Sequence, residues 1–506
     1  MGTLSLRRTF AVPLRAAGGS ALLLLCASPL WAATDPPFDF DRPDHRAEEA
    51  LRVWNVEDEL ARVGAMAASG RGNAYLHLLH AKLLFHAGKY QQALGPAQQA
   101  ERLAPEDARV KGAAALVQRT LKARRGFRVY RSPHFELYLD PAQDALLAEM
   151  ALETAERSHR RLTGFFGTAS GGRARRVRIE IYPTAERFHW ASGLSRRDIE
   201  VTGAVGIAAF NKVMLISPRA LLRGYRWLDS LSHEYVHYLT VRATRNNAPI
   251  WFHEGMAKFL ETQWRSKDAL YLGPVYRTLL AEAVRDDDFV SFQAMEPSLV
   301  RLPNPRLVHL AYAEGASAVD FILRTFGREK LAALLGELAS SPRRTMAQAV
   351  GRALGLTMEA FERSWKADLR RREIPPVEGV WIPSYKLRGP EGEGREEAEE
   401  FRAIRSAVAR NHLRLGELLW RRGRRRPAIM EYARAVRESP GTPYLRNRLA
   451  RRLLASGREA TALGQLEAAR RLAPDYGPTY TLLGHLHLRA GRFGEARAAY
   501  GESLQV

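Results

Sequence analysis

Several residue columns recur at one interval near the C-terminus of this 506-residue chain. Gly423, Gly457 and Gly491 are 34 apart, and so are Ala428, Ala462 and Ala496, and Leu415, Leu449 and Leu483; Pro440 and Pro474 repeat the interval. A fixed period of this length constrains the fold more than any composition does. Each unit is one small helical element that cannot bury its apolar face alone, so neighbours must stack into a solenoid with a concave side. Residues 401–506 are therefore expected to hold three such units. The stretch from Ala81 to Pro105 keeps the internal spacing: Gly88 to Pro105 is 17 residues, as is Gly423 to Pro440. Upstream, Leu51, Val53, Trp54, Leu60 and Val63 recur at helical spacing, so residues 46–125 read as a helical region with one further unit.

With these residue types, a 34-residue period resembles the tetratricopeptide repeat. The resemblance implies all-α flanks and a groove, for which two roles stand open. One is a seat for a protein or peptide partner; the other is a helical cap that stabilises the domain between the flanks.

Residues 126–372 follow a different pattern. Phe127–Tyr130 and His134–Leu139 alternate as strands around Ser132-Pro133, a long helix is expected through Leu146 to Phe166, and Val177–Tyr182 reads as a third strand. Val201–Ala209 and Val213–Ile216 are expected to form a hairpin across Asn211. Helices follow to about Arg372. A small mixed sheet followed by helices is an α+β arrangement. Residues 373–400, rich in Pro, Gly and charge, read as a linker.

The chemistry lies in His233-Glu234-Tyr235-Val236-His237. Histidines four apart sit above one another on a helix face, where both can reach one Zn²⁺ ion. Leu228, Leu231, Tyr235, Val236 and Leu239 supply the apolar stripe of that helix. Glu234 is placed to hold a water at the metal and take its proton. After the turn residues Asn246, Asn247 and Pro249 a second helix is expected, with Trp251, Phe252, Met256, Phe259 and Leu260 as core. Its Glu254 would complete a three-ligand site and leave the fourth position to water, as catalytic zinc requires. His253 is a competing donor, but adjacent helix positions point about 100° apart, so only one of the two can face the metal; Glu254 is the expected ligand and His253 a rim residue.

H-E-x-x-H followed by Trp251-Phe252-His253-Glu254-Gly255 resembles the gluzincin metallopeptidases, in particular the peptidase-MA-like domains that accompany tetratricopeptide repeats. The resemblance implies an α+β zincin-like domain flanked by repeat helices, with His233, His237 and Glu254 as zinc ligands and Glu234 as general base. It also implies that the strand before the metal helix lines the cleft and pairs with substrate backbone, a role that falls either to Val213–Ile216 or to Val201–Ala209. Many gluzincins carry an Asp four residues after the glutamate ligand, and this chain has Lys258 there; Glu261, one turn on, is the alternative group to orient a ligand histidine. Hydrolysis also needs a donor for the oxyanion, usually a Tyr or His from a later helix. Leu307–Phe326 offers Tyr312, Glu314 and Ser317, of which Tyr312 is the choice.

Composition adds compartment and partners. Arg7, Arg8 and Arg15, the apolar run Ala21–Leu25 and the small residues before Asp35-Pro36-Pro37 make residues 1–33 a signal peptide, served by the Sec or the twin-arginine route. The expected location is periplasmic or secreted, with no membrane span in the mature chain. Cys26, the one cysteine, lies inside that segment, so a metal site must use nitrogen and oxygen donors. The net charge of +22 is spread over the sequence without an aromatic-interleaved groove, so specific nucleic-acid binding is not expected. The chain thus reads as an exported zinc endopeptidase acting on peptide or protein substrates, with an inactive repeat scaffold of the cell envelope as the competing reading.

Overall fold

The computed structural model describes residues 44–69, 73–166, 176–194, 204–266, 271–380, 387–388 and 393–506. The proposed signal peptide and Val201–Gly203 of the expected hairpin lie outside them. At the centre is a five-stranded sheet of order β1-β2-β3-β5-β4: β1 is Arg128–Arg131, β2 Phe135–Leu139, β3 Val177–Tyr182, β4 Gly206–Ala209 and β5 Lys212–Ile216. The inner strands β2, β3 and β5 run parallel, with Leu137 opposite Ile179 and Ile179 opposite Val213, whereas β1 and β4 close the two ends antiparallel. Parallel strands must be buried on both faces, and every residue of β3 and β5 is buried.

The β4–β5 turn places Phe210 and Asn211 at positive φ, 55° and 59°. Asn adopts that region readily and Phe does not. Packing overrides the preference: the Phe210 ring is held edge-on between Phe85 and His86 of the Ala74–His86 helix.

That helix and its partner Tyr90–Leu103 tie the N-terminal region to the sheet through a buried ionic cluster. Glu180 of β3, fully buried, accepts from Lys212 Nζ (2.6 Å), Tyr90 Oη (2.9 Å) and Tyr182 Oη (2.5 Å), and Arg124 Nε lies 3.1 Å from its Oε1. Lys212 sits over the Tyr90 ring, and Arg178 donates to the carbonyl of Ala87. Burial alone would raise the Glu180 carboxyl; Lys212, Arg124 and Arg178 reverse that and hold it near 2.

C-terminal to the sheet domain, helices pair as Ala407–Arg421 with Arg425–Glu438, Pro443–Leu454 with Glu459–Leu472, and Gly477–Arg489 with Phe493–Ser503. Their turns share one geometry. Gly423, Gly457 and Gly491 take φ of 74°, 73° and 71°, and the next residue's N–H bonds five positions back, Arg424 to Leu419, Arg458 to Leu453 and Arg492 to His487. Gly88 (φ 70°) and Lys89 do the same between Ala74–His86 and Tyr90–Leu103. Only glycine takes this left-handed position freely.

The segment expected as a linker is partly structured: Leu387 bridges Leu221, and Glu393–Ala403 is helical. The Glu, Arg and Ala residues after Gly394 are strong helix formers and outweigh the local Pro/Gly signal. Among the described residues no helix is long and apolar enough to cross a membrane.

Candidate metal centre

The Trp227–Thr244 helix carries the two histidines. It packs on β4 and β5 and on the Leu147–Phe166 helix, to which Ser232 is joined by a 3.1 Å bond from Ser158 and Tyr235 by a 2.7 Å contact with His159 Nδ1. Leu228, Leu231, Tyr235, Val236 and Leu239 are all buried, as their spacing requires. The chain reverses through Arg245 and Asn246, both at positive φ, and Asn247 fastens the turn by donating to the carbonyls of Leu338 and Ser341.

The Ile250–Leu260 helix then brings Glu254 against the histidines. Its position is set by an unusually close crossing. A Cβ on Gly255 would lie 2.4 Å from the carbonyl oxygen of Gly315, and one on Gly315 would lie 2.6 Å from that of Trp251. The Pro305–Ala339 helix, broken at Gly327, thus meets the Glu254 helix backbone to backbone. Glycine at both positions is a steric requirement.

The three donor atoms form a nearly equilateral triangle. His233 Nε2 and His237 Nε2 are 3.1 Å apart, and Glu254 Oε2 lies 3.3 Å from the first and 3.4 Å from the second. All three residues are buried or nearly so, and they form the one His/Cys/Asp/Glu cluster among the described residues that could hold a metal ion. A tetrahedral ion with bonds of 2.0–2.1 Å separates its ligands by about 3.3 Å. The His–Glu distances are long for charge-assisted hydrogen bonds, and neither Glu254 oxygen has a well-formed partner. A buried carboxylate left in that state is costly, so the donor set fits a metal ion better than it fits itself.

The surroundings prepare the ligands. His233 Nδ1 is 2.9 Å from Glu261 Oε2, which fixes Nδ1 as the protonated nitrogen and leaves Nε2 facing the cluster. Lys258 Nζ holds the other Glu261 oxygen at 2.5 Å and lies 3.8 Å from the Tyr276 ring centre. Glu261 therefore stands where the sequence pattern left a gap, and Lys258 secures it. In the metal-free protein burial pushes His233 down, but Glu254 and Glu261 outweigh it and raise the imidazole to about 10. Burial would raise Glu254; His237 and His233 override it and hold the carboxyl at about 2.

Glu234 is buried beside the edge strand. Burial raises its carboxyl above the usual range, the Ala208 N–H is one of its donors, and its Oε2 has no hydrogen-bond partner among the described residues. A Cβ on Gly206 would come within 2.8 Å of its Oε1. β4, the edge strand, is thus the strand that borders the acid.

Tyr312 is brought to the cluster, its ring 6.1 Å from that of His233 and edge-on to it. Glu314 and Ser317 are not: Glu314 accepts from the Val290 N–H and Ser317 from Trp365 Nε1, both within the core. His253 is a correction. Expected at the rim, it is buried, 5.8 Å from His237 between ring centres, with neither ring nitrogen hydrogen-bonded among the described residues. The Glu254 helix is covered on all sides, so the 100° offset turns His253 into the interior. Burial lowers its pKa to about 3 and keeps it neutral.

A buried two-histidine, one-glutamate donor set beside a buried acid and an edge strand defines a metallopeptidase-like centre. Residues 166–371 match the family model described as the Peptidase MA superfamily. The match begins at Phe166, so β1, β2 and the Leu147–Phe166 helix lie before it although they complete the same sheet. No curated protein matches the chain.

Proposed function

We propose that the chain is a zinc-dependent peptidase of gluzincin type, exported, whose helical hairpins are tetratricopeptide repeats that hold substrate or partner proteins. The observation that supports this reading is the triangle of His233, His237 and Glu254 donor atoms with edges of 3.1–3.4 Å, in which the carboxylate makes no well-formed hydrogen bond among the described residues. Bound there, zinc would supply Lewis-acid polarisation of a peptide carbonyl and acidify a water. His233, His237 and Glu254 would hold the ion, and Glu261 keeps His233 in the tautomer that could bind it. Glu234, its pKa raised by burial, accepts a proton from the attacking water and returns it to the leaving amine. Tyr312, beside His233, is assigned to the oxyanion, and β4 to the substrate backbone.

Metal analysis of the purified chain and Glu234→Gln turnover test the reading together. One zinc per chain is expected, lost in His233→Ala. Glu234→Gln should keep zinc and lose about 10²–10⁴-fold in peptide hydrolysis. Full turnover in that variant, or no metal in the folded wild-type chain, overturns it. Tyr312→Phe should lower turnover at unchanged zinc content.

A further inference from the structure

The C-terminal hairpins carry charge out of proportion to their length. Residues 401–506 hold 21 arginines, no lysine and eight acids, so about a fifth of the chain bears +13 of its net +22. The fold sorts this charge. In stacked antiparallel hairpins the turns within units fall on one edge and the turns between units on the opposite edge, about 20 Å away across helices of this length.

The between-unit edge is occupied. Arg226 donates to the Pro474 carbonyl (2.8 Å) and Tyr480 Oη (2.9 Å), Trp227 Nε1 donates to the Leu504 carbonyl (2.9 Å), and Arg223 pairs with Glu400 (2.6 Å). A Cβ on Gly441 would strike the carbonyl of Gly379. This edge rests on the sheet domain at the start of the metal helix.

The within-unit edge therefore points away, and it is where the arginines collect. Arg421, Arg422, Arg424, Arg425 and Arg426 surround the first turn, Arg458 the second, and Arg489 and Arg492 the third, all exposed. Arg424, Arg458 and Arg492 stand in register, each preceding a helix without any side-chain cap. Among the described residues only Arg489 of this set has a carboxylate within ion-pair range, Glu459 at 3.8 Å; Arg425 leans on the Trp420 ring. The second feature of this edge is apolar. Leu418, Leu488 and Phe493 flank the same turns and are 50%, 48% and 69% exposed. A soluble polyanion would match the arginines and leave these side chains in water. An interface with negative headgroups above hydrocarbon satisfies both.

We propose that this arginine edge docks the protein on anionic phospholipid, with Phe493, Leu488 and Leu418 entering the headgroup boundary and the metal centre held on the side away from the bilayer. The proposal is independent of the peptidase reading.

Sedimentation of the full chain with vesicles tests it, comparing phosphatidylcholine alone with phosphatidylcholine containing phosphatidylglycerol. Binding is expected only to the anionic vesicles. Each arginine near such a surface contributes about fivefold, so the combined Arg421→Gln, Arg422→Gln, Arg424→Gln and Arg426→Gln variant should bind several hundredfold more weakly. Phe493→Ser should cost about tenfold. Both variants alter exposed side chains only, so their melting temperatures should match the wild type. Three results overturn the proposal: no binding of the wild type, equal binding to neutral vesicles, or undiminished binding by the arginine variant. Tight binding of duplex DNA or polyglutamate that is lost in the arginine variant, with vesicle binding unaffected by Phe493→Ser, would assign the edge to a soluble polyanion instead.

Discussion

Two buried ionic clusters lie in the sheet domain, and they differ in how completely they are closed. Around Glu180 both carboxylate oxygens accept hydrogen bonds, Oε2 from Lys212 and Tyr182 and Oε1 from Tyr90, with Arg124 alongside as a second cation. Around Glu254 both carboxylate oxygens, Glu234 Oε2 and both His253 nitrogens lack a well-formed hydrogen bond among the described residues. Burial is equal, so burial does not separate a structural cluster from a functional one. Saturation does: a closed network holds the fold together, and an open one keeps donors in place for something the chain does not itself supply.

That contrast can be broken most sharply at Lys212. Lys212→Met leaves Glu180 buried without its nearest cation and should destabilise the fold by about 3–5 kcal/mol, seen as a large fall in melting temperature. A shift within error would mean the network is not structural. Glu261→Gln tests the open cluster. It keeps the shape but loses the negative charge that orients His233 and pairs with Lys258, and zinc affinity in a chelator competition should fall about 10–100-fold. Equal affinity would remove Glu261 from the site.

pH separates the two clusters further. His233, raised to about 10 in the metal-free chain, stabilises that state fully below its ordinary value near 6.5. The contribution is lost as pH rises toward 10. Because a ligand imidazole must be neutral, apparent zinc affinity should climb about tenfold per pH unit between roughly 6.5 and 9, with one proton released. Calorimetry in two buffers of different ionisation heat would count that proton. Glu180, held near 2, behaves in the opposite sense: its contribution is present above about 4.5 and is lost as pH falls toward 2. The smallest effect is expected at Glu254. Glu254→Gln removes one of the carboxylates that raise His233, so the metal-free variant should lose about 1–2 kcal/mol of stability at neutral pH, while also losing zinc.

Local chemistry was legible in the sequence, and long-range closure was not. The pairing of His233 with His237 is fixed by helical repeat alone, and Glu254 follows 17 residues later on the next helix, so the donor set could be read directly. The turn glycines Gly88, Gly423, Gly457 and Gly491 mark a backbone geometry that needs no tertiary partner. By contrast, Glu180 finds Tyr90 and Arg124 on helices far upstream, and nothing in the spacing of Val177–Tyr182 announces them. Lys258 departs from the metal-site pattern in sequence; its role lies in its grip on Glu261, three residues on, which spacing alone does not announce. His253 went to the interior because packing, not helical phase, decides which side of a fully covered helix meets solvent.

The bond from Tyr90 to Glu180 and that from Arg178 to the Ala87 carbonyl carry a further consequence for where this domain begins. Cut at Phe166, where the family match starts, the sheet would lose two strands and Glu180 would lose the hydroxyl of Tyr90 and the guanidinium of Arg124. The N-terminal hairpin is part of the sheet domain's interior chemistry. The smallest autonomous piece containing the metal centre therefore starts no later than Ala74, and sequence shuffling that separated the hairpin from the catalytic stretch would strand a charge in the core of one fragment.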